Sequence, residues 1–426
     1  MRINLLNIGC FKNLVDSERL MRVLVDAGID VHFGELDGTA DIAIINTCGF
    51  IGESEDASLA AIRRYAAMKL DGALGQLWII GCYSQKLGDR LLAIVPEVDK
   101  IYGNFNWEQL PADLGIGMAV GMKRYLTTPS HYAFVKILEG CNQPCSYCIK
   151  PVLNGPLASV SIENVLEECQ WLVSHGVKEI QLVAQNLTSY GLDLYGKKRI
   201  AELVSRISDI SGIEWIRLHY AYPSGFPKDL LPIIRERENV CKYLDMAIQH
   251  SETRMLKLMR RGMSRESLSD LIEEIRASVP GIYLRTTVMV GHPGETEADF
   301  DALLRFIGEQ RFERLGVFRY SHQKGTYSDG HYHDTISQET KNGRALAVLS
   351  AQKIVLDDIN RATIGKDIKV IIDSIKDGYY ISRSEHSTPM ADPVIKVQAA
   401  STLTSGDFHE VRITGVEGRN LIAVPL

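Results

Sequence analysis

Three cysteines in the run EGCNQPCSYCIKP, Cys141, Cys145 and Cys148, are spaced CxxxCxxC. They follow the apolar run YAFVKIL, so a strand delivers all three thiols onto one tight loop. Thiolates are the usual ligands of iron–sulfur clusters, and a four-iron cluster held by three of them keeps one iron open to an exchangeable ligand. Zinc is the competing occupant, but it needs a fourth ligand close by. The next candidates, Cys169 and His175, lie about 20 residues on in a helical pattern. The residue before the last cysteine, Tyr147, is able to stack on an adenine or simply to pack in a core. A second set is spread more widely. Cys10 follows INLLNIG, Cys48 follows DIAIINT and Cys82 follows QLWIIG. Each lies just past the C-terminal end of a buried-strand pattern and beside a glycine (Gly9, Gly49, Gly81). Those ends line one edge of a parallel sheet, where ligands bind, so the three thiols are expected to meet at a second metal cluster. The glycines would let backbone approach it closely. Cys169 and Cys241 have no such partners and read as core cysteines.

The elements that position these residues read as an α/β chain. Over 1–124 the apolar runs INLLNI, DIAIIN and QLWIIG alternate with amphipathic stretches at Leu14–Ala27 and Glu53–Met68, which predicts a parallel sheet with helices. The segment GMKRYLTTPSHY, with Gly121 and Pro129, reads as a linker. From 130 to 362 six strand candidates (YAFVKIL, EIQLVA, WIRLHY, YLDMAI, YLRTTVMV, RLGVFRY) alternate with helices such as Ser161–His175 and Thr296–Gln310. Six such units predict a partial (β/α)6 barrel with its site at the C-terminal strand ends. The tail, 363–426, carries IKVIIDS, GYYISR, VIKVQA, HEVRIT and LIAVPL, the short strands of a small β-barrel.

CxxxCxxC with an aromatic before the last cysteine, opening a six-fold β/α unit, resembles the radical S-adenosylmethionine superfamily. The resemblance implies that the open iron binds the methionine moiety of S-adenosyl-L-methionine and that the reduced cluster releases a 5′-deoxyadenosyl radical. A second three-cysteine set and a C-terminal, TRAM-like β-barrel extend the resemblance over the whole chain to the methylthiotransferases. GCFKNLVDSE, NTCGFI, RLHYAYPSGFP, MLKLMRRG, LRTTVMVGHPGET and RLGVFRYSHQKGT resemble the branch of that family that modifies a ribosomal protein. The tRNA-modifying relatives usually differ after the first cysteine, where this chain has Phe11–Lys12–Asn13. The roles implied are a radical 4Fe-4S cluster on Cys141, Cys145 and Cys148, the catalytic set, and an auxiliary 4Fe-4S cluster on Cys10, Cys48 and Cys82. Tyr147 would contact the adenine and Gln185 would face the cofactor. The implied substrate is an aspartate of small-subunit ribosomal protein S-twelve. An electron donor such as flavodoxin or ferredoxin and a sulfur donor are the further partners. The chain departs from the family pattern in four places: IKPVLNGPLASVS lacks two usual arginines, Asn186 replaces an aspartate, Ala247 stands where proline is common, and SEHSTPMADP replaces a more acidic run.

Composition narrows the alternatives. The 426 residues carry a net charge of −6 and 45% hydrophobic residues, which suits a globular cytoplasmic protein. The N-terminus lacks a secretory signal, and no run is long and apolar enough for a membrane helix. A tail gripping tRNA should be basic, yet from Thr363 onward seven Lys or Arg face eight Asp or Glu. A basic ribosomal protein is therefore favoured over tRNA. The pairs Lys123–Arg124 and Arg260–Arg261 read as solvated surface. Two other readings compete: an enzyme placing methylthio on a modified adenosine of tRNA, and a non-catalytic iron–sulfur protein, suggested by the altered loop after Cys148.

Overall fold

A computed structural model describes residues 1–398 and 402–426. Three strand systems follow one another. The first sheet holds β1 (Arg2–Asn7), β2 (Asp30–Phe33), β3 (Ala40–Thr47), β4 (Leu74–Gly81) and β5 (Lys100–Ile101). Its order is β2-β1-β3-β4-β5, all parallel. Strand order reverses between β1 and β3, and the crevice at such a switch point is where open α/β sheets bind ligands. β1, β3 and β4, the strands that lead into Cys10, Cys48 and Cys82, are adjacent. The helices α1 (Phe11–Asp26) and α2 (Gly52–Leu70) follow β1 and β3 and cover opposite faces. α1 buries Leu20, Met21 and Leu24 with Ile42 and Ile44, while α2 buries Ile62 and Tyr65 with Ala43 and Ile45.

The second sheet is open and seven-stranded, in the order β12-β11-β10-β9-β8-β6-β7. β6 (Tyr132–Glu139), β8 (Glu179–Ala184), β9 (Trp215–Ala221), β10 (Val240–Met246), β11 (Tyr283–Val290) and β12 (Arg314–Arg319) are the six parallel members. The two-residue β7 (Ala158–Ser159) adds an antiparallel edge. The helices between have sequence-encoded starts: Ser161 caps Ile162–Ser174, and Thr296 opens a capping box with Asp299 at the head of Glu297–Gln310. The first unit docks through α1, whose Phe11 stacks on Phe134 of β6 with ring centroids 4.1 Å apart. Such a pair contributes about 0.5–1.5 kcal/mol beyond its buried area. Val15 is buried beside Tyr132, Phe134 and Val183.

The tail forms a closed barrel, β13-β14-β15-β17-β16, from Asp367–Lys376, Tyr379–Ser384, Ile395–Val397, Asn420–Pro425 and Phe408–Glu417 in that order. The strand expected at VIKVQA is described as far as Val397; its last residue, Ala399, lies outside the described residues. The loop after β14 enters the half-barrel of the second sheet near the N-terminal ends of its strands. Arg383 donates to the buried Glu179, Tyr243 donates to Asp392, and Lys242 N donates to Glu385. SEHSTPMADP, the segment that departs from the family pattern, thus plugs the interior with Ser387, Thr388 and Asp392, while Met390 at its turn stays exposed.

Two expectations are corrected. The segment read as a linker has no regular element before Tyr132, but it is strapped down. Arg124 is 1% exposed and lies 3.3 Å from both Glu18 of α1 and Glu168. Arg261, also read as surface, is 4% exposed. Both arginines are buried because acceptors distant in sequence receive them, which a count of adjacent charges does not reveal.

Candidate functional site

Cys10 is the first residue before α1, and its thiol donates to Asn13 Oδ1 at 3.1 Å. Asn13 is fixed in turn by Asn46 at 2.9 Å. Cys48 is held through its backbone, whose N–H and C=O both bond the Ser58 hydroxyl. Cys82 begins a short helix, and Asn104 Nδ2 donates to its sulfur at 3.4 Å and to Leu153 O at 2.9 Å. Asn104 therefore ties the first sheet to the loop that follows Cys148. Of the neighbouring glycines, Gly81 has φ +97 and Gly49 lies so close to Cys82 and Tyr83 that an added Cβ would come within 2.9 Å of backbone. These two let chain approach chain.

On the second sheet, Cys141 N–H bonds Gly155 O and Cys148 N–H bonds Cys145 O, closing the loop after β6. Arg261 Nη1 donates to Cys145 Sγ at 3.4 Å, and the Tyr222 hydroxyl lies 3.7 Å from that sulfur. Arg261 also stacks over the Tyr222 ring at 4.0 Å. Tyr147 is half-buried against Met255, Met259, Met289 and Tyr320, with the His292 ring edge-on at 6.3 Å. Gln185 is 8% exposed; its amide nitrogen donates to Glu139, and its Oε1 has no partner.

A cavity of about 460 Å³ lies between the two sheets. Cys10, Cys48 and Cys82 wall one side, and Tyr147, Gln185 and Tyr220 wall the other. Cys141, Cys145 and Cys148 do not line it, although Tyr147 and Lys150 from the same loop do. All six cysteines are free and partly exposed, whereas Cys169 and Cys241 are buried. Each set forms one electrostatic neighbourhood: Cys82 feels Cys10 and Cys48, and Cys148 feels Cys145 and Cys141. Burial and then the Cys10 charge push Cys82 up to about 12, and burial pushes Cys148 up to about 11. Burial acts on Cys10 too, but the Lys12 ammonium and the backbone N–H groups of Asn13 and Lys12 outweigh it and hold that thiol below its ordinary value. Among the described residues no three His, Cys, Asp or Glu side chains are set to grip a metal ion together. The thiols instead bond their own neighbours, Asn13, Asn104 and Arg261. The donor chemistry fits iron–sulfur clusters nonetheless: soft sulfur ligands in threes, none in a disulfide, one set on the cavity wall and the other on the loop that carries Tyr147 and Lys150 into it.

Residues that sequence reasoning left without a role are prominent here. Tyr222 and Arg261 sit in RLHYAYPSGFP and MLKLMRRG, motifs quoted for family likeness alone. Lys12 and Lys150 hold ammonium groups over the Tyr220 ring, 4.9 and 5.8 Å from its centroid.

Residues 135–307 match the Radical SAM superfamily, residues 2–103 match Uncharacterized protein family UPF0004, and residues 364–426 match the TRAM domain. The Ribosomal protein uS12 methylthiotransferase RimO of Bacteroides thetaiotaomicron is 48% identical over 99% of this chain and 98% of its own. The protein of that name from Porphyromonas gingivalis is 47% identical over the same shares, and the one from Cytophaga hutchinsonii is 44% identical over 97% and 95%. Among solved structures, the radical S-adenosylmethionine methyltransferase TsrM from Kitasatospora setae, with cobalamin and a [4Fe-4S] cluster bound, superposes with a TM-score of 0.56. The overlap covers 75% of this chain and 74% of that one at 13% identity, a likeness of fold.

Proposed function

Because the chain belongs to the RimO family of ribosomal protein uS12 methylthiotransferases, we propose that it places a methylthio group on the β-carbon of one aspartate of uS12. It is a radical S-adenosylmethionine enzyme with an iron–sulfur cluster. The observation that carries the finer reading is the shared cavity, walled by the three strand-end cysteines of one sheet and by Tyr147 and Gln185 of the other. In this reading Cys141, Cys145 and Cys148 hold the radical cluster, and Cys10, Cys48 and Cys82 hold the auxiliary one. When bound, the two clusters and S-adenosylmethionine would supply the reducing electron, the hydrogen abstraction and the methylthio group. An electron donor such as flavodoxin or ferredoxin and a sulfur donor complete the reaction.

The reaction replaces an unactivated C–H bond, so the site has no acid or base to provide; its residues must orient partners and exclude water. Arg261 and Tyr222 set an N–H and a hydroxyl beside the Cys145 sulfur and fix its position. Asn104 does the same for Cys82 while fixing the distance between the two cysteine-bearing edges. Tyr147, immobilised among Met255, Met259 and Met289, offers an aromatic face to an adenine. Glu139, paired with Lys136 and bonded by Gln185, is a fixed acceptor at the end of β6. Phe50, Met289 and Phe318 supply apolar wall. The test is incubation of iron-loaded protein with uS12, S-adenosylmethionine and dithionite. The expected product is uS12 heavier by one methylthio group at a single aspartate. Unmodified uS12 alongside methylthiolated tRNA would replace this reading with the nucleic-acid one.

A further inference from the structure

The charges that line the cavity are mostly matched. Lys136 pairs with Asp16 and Glu139, Arg19 with Glu168, and Arg319 with Glu53. Lys12 and Lys150 are different. Among the described residues neither takes part in an ion pair, although Lys12 is only 7% exposed. Lysine is almost never so buried without a partner. The two enter from separate parts of the chain, α1 and the loop after Cys148, yet both ammonium groups lie over the ring of Tyr220, with Phe50 closer still to Lys150 at 4.5 Å. That ring is held by a backbone at φ 63, a region bulky residues avoid. Gln249, on the same wall, has φ 70, and its buried Oε1 lacks a hydrogen-bond partner. Two unmatched ammonium groups and the unmatched amide oxygens of Gln185 and Gln249 thus border one cavity.

That arrangement lacks an anion with a peptide N–H close by. On the reading that this cavity receives an aspartate of uS12, we propose that Lys12 and Lys150 together seat the side-chain carboxylate of that aspartate and so select it over its amide. Asparagine has the same shape and the same β-carbon but no charge, and it would leave both ammonium groups unmatched in a site partly shielded from water. A site built to bond a group rejects the analogue that lacks it, because its buried polar groups then go unpaired. A charged hydrogen bond is worth about 1.5–3 kcal/mol, or roughly 10- to 100-fold per lysine. The competing role is that the lysines only offset negative charge around Cys10 and Cys148. In that case their loss slows transfer to any substrate alike.

The experiment uses the iron-loaded full chain, with rates normalised to iron content. The variants are Lys12→Met, Lys150→Met and the double variant, with Lys12→Arg and Lys150→Arg as charge-conserving rescues. Each is given uS12 and uS12 with the target aspartate changed to asparagine, and both transfer and equilibrium binding are measured. Wild type should prefer the aspartate form by at least about 10- to 100-fold in kcat/KM. Each Lys→Met change should erode that preference, mainly through KM. The double variant should abolish it, and the arginine variants should restore part of it. Variants that slow both substrates equally, with the preference intact, overturn the proposal. If Lys12→Met does not load iron, the half-exposed Lys150 carries the test alone. If wild type modifies neither substrate, the methylthiotransferase reading fails separately and binding decides the seat. Tighter binding of the aspartate form that disappears in the double variant supports it; equal binding of both forms by wild type overturns it.

Discussion

Glu179 offers the sharpest test of how the tail barrel is held. Its side chain is fully buried at the start of β8, where Arg383 Nη2 donates at 2.7 Å and Arg217 Nη2 at 2.9 Å. Arg217 is fully buried and Arg383 is 1% exposed. Glu179→Gln keeps the shape but leaves the buried Arg217 without a carboxylate and Arg383 with Asp373 alone, both facing an amide one end of which is itself a donor. Breaking a buried pair in this way costs about 3–5 kcal/mol, because the stranded charge has no water to turn to. Glu214 provides an internal control. It pairs with Lys369 across the same contact between barrel and second sheet, but at about half exposure. Glu214→Gln should cost less than about 1 kcal/mol. Thermal unfolding of the two variants at neutral pH should therefore separate them by several degrees. Acidity supplies a second handle. Burial works against the Glu179 carboxylate, but the Arg383 and Arg217 charges outweigh it and hold its pKa below the ordinary value. Its contribution is therefore present above the unfolded carboxylate range, about 4.3, and is lost as pH falls through the lower folded value. The gap between wild type and Glu179→Gln should be full at pH 7 and narrow below about pH 4. If the two variants melt together at neutral pH, the network does not hold the barrel.

Three further outcomes follow from the site. Reconstituted protein should bind about eight irons; Cys141→Ala and Cys48→Ala should each remove about half, whereas Cys169→Ala should leave iron untouched, as a metal assay will report. Cys82→Ala should permit 5′-deoxyadenosine formation and prevent methylthio transfer, so transfer that persists by mass spectrometry refutes an auxiliary cluster on that residue. Burial, with the Asp392 charge adding to it, pushes Asp245 up to about 6 despite Arg285. A carboxyl raised in this way favours the fold at low pH and loses that advantage as pH rises through 6, so Asp245→Asn should gain about 1.4 kcal/mol over wild type between pH 5 and pH 8 in melting experiments.

The parts legible in the sequence were those written in local pattern. Strands buried on both faces read as continuous apolar runs, so β1, β3 and β4 were visible as INLLNI, DIAIIN and QLWIIG, and their cysteines could be placed at one sheet edge. The long helices were visible by periodicity, and α1 begins at Phe11, three residues before the expected start, because Cys10 takes the position before the first turn. β2 was missed because DVHF is a short edge strand with a charge and a histidine, and β5 and β7 because two residues carry no period. The burial of Arg124 and Arg261 was hidden for a different reason. Their acceptors, Glu18, Glu168 and the Cys145 sulfur, are supplied by folding from more than 40 residues away. Lys12 and Lys150 were printed beside the cysteines, but only the Tyr220 ring brings them together.

The interior of the half-barrel gives the tail a second meaning. Within these strands, the alternate residues Arg217 and His219 on β9, Tyr243 on β10 and Arg285 on β11 turn toward the tail, and Asp245 on β10 lies beside Arg285. Such a polar interior needs partners on every side, and Arg383 of β14 with Thr388 and Asp392 of the plug supply them at the N-terminal ends of the strands. With that end filled, the opening left to a substrate is at the C-terminal ends, where the cavity and both cysteine-bearing edges lie. The near-neutral charge of the tail then has a structural origin as well. Arg383 is committed to Glu179 and Asp373, and Asp392 to Tyr243 and Arg285. These charges face inward and are not offered to a phosphate backbone. The barrel thus acts on the chemistry by closing one end of the site, which makes its attachment through Glu179 part of how the cavity is presented to uS12.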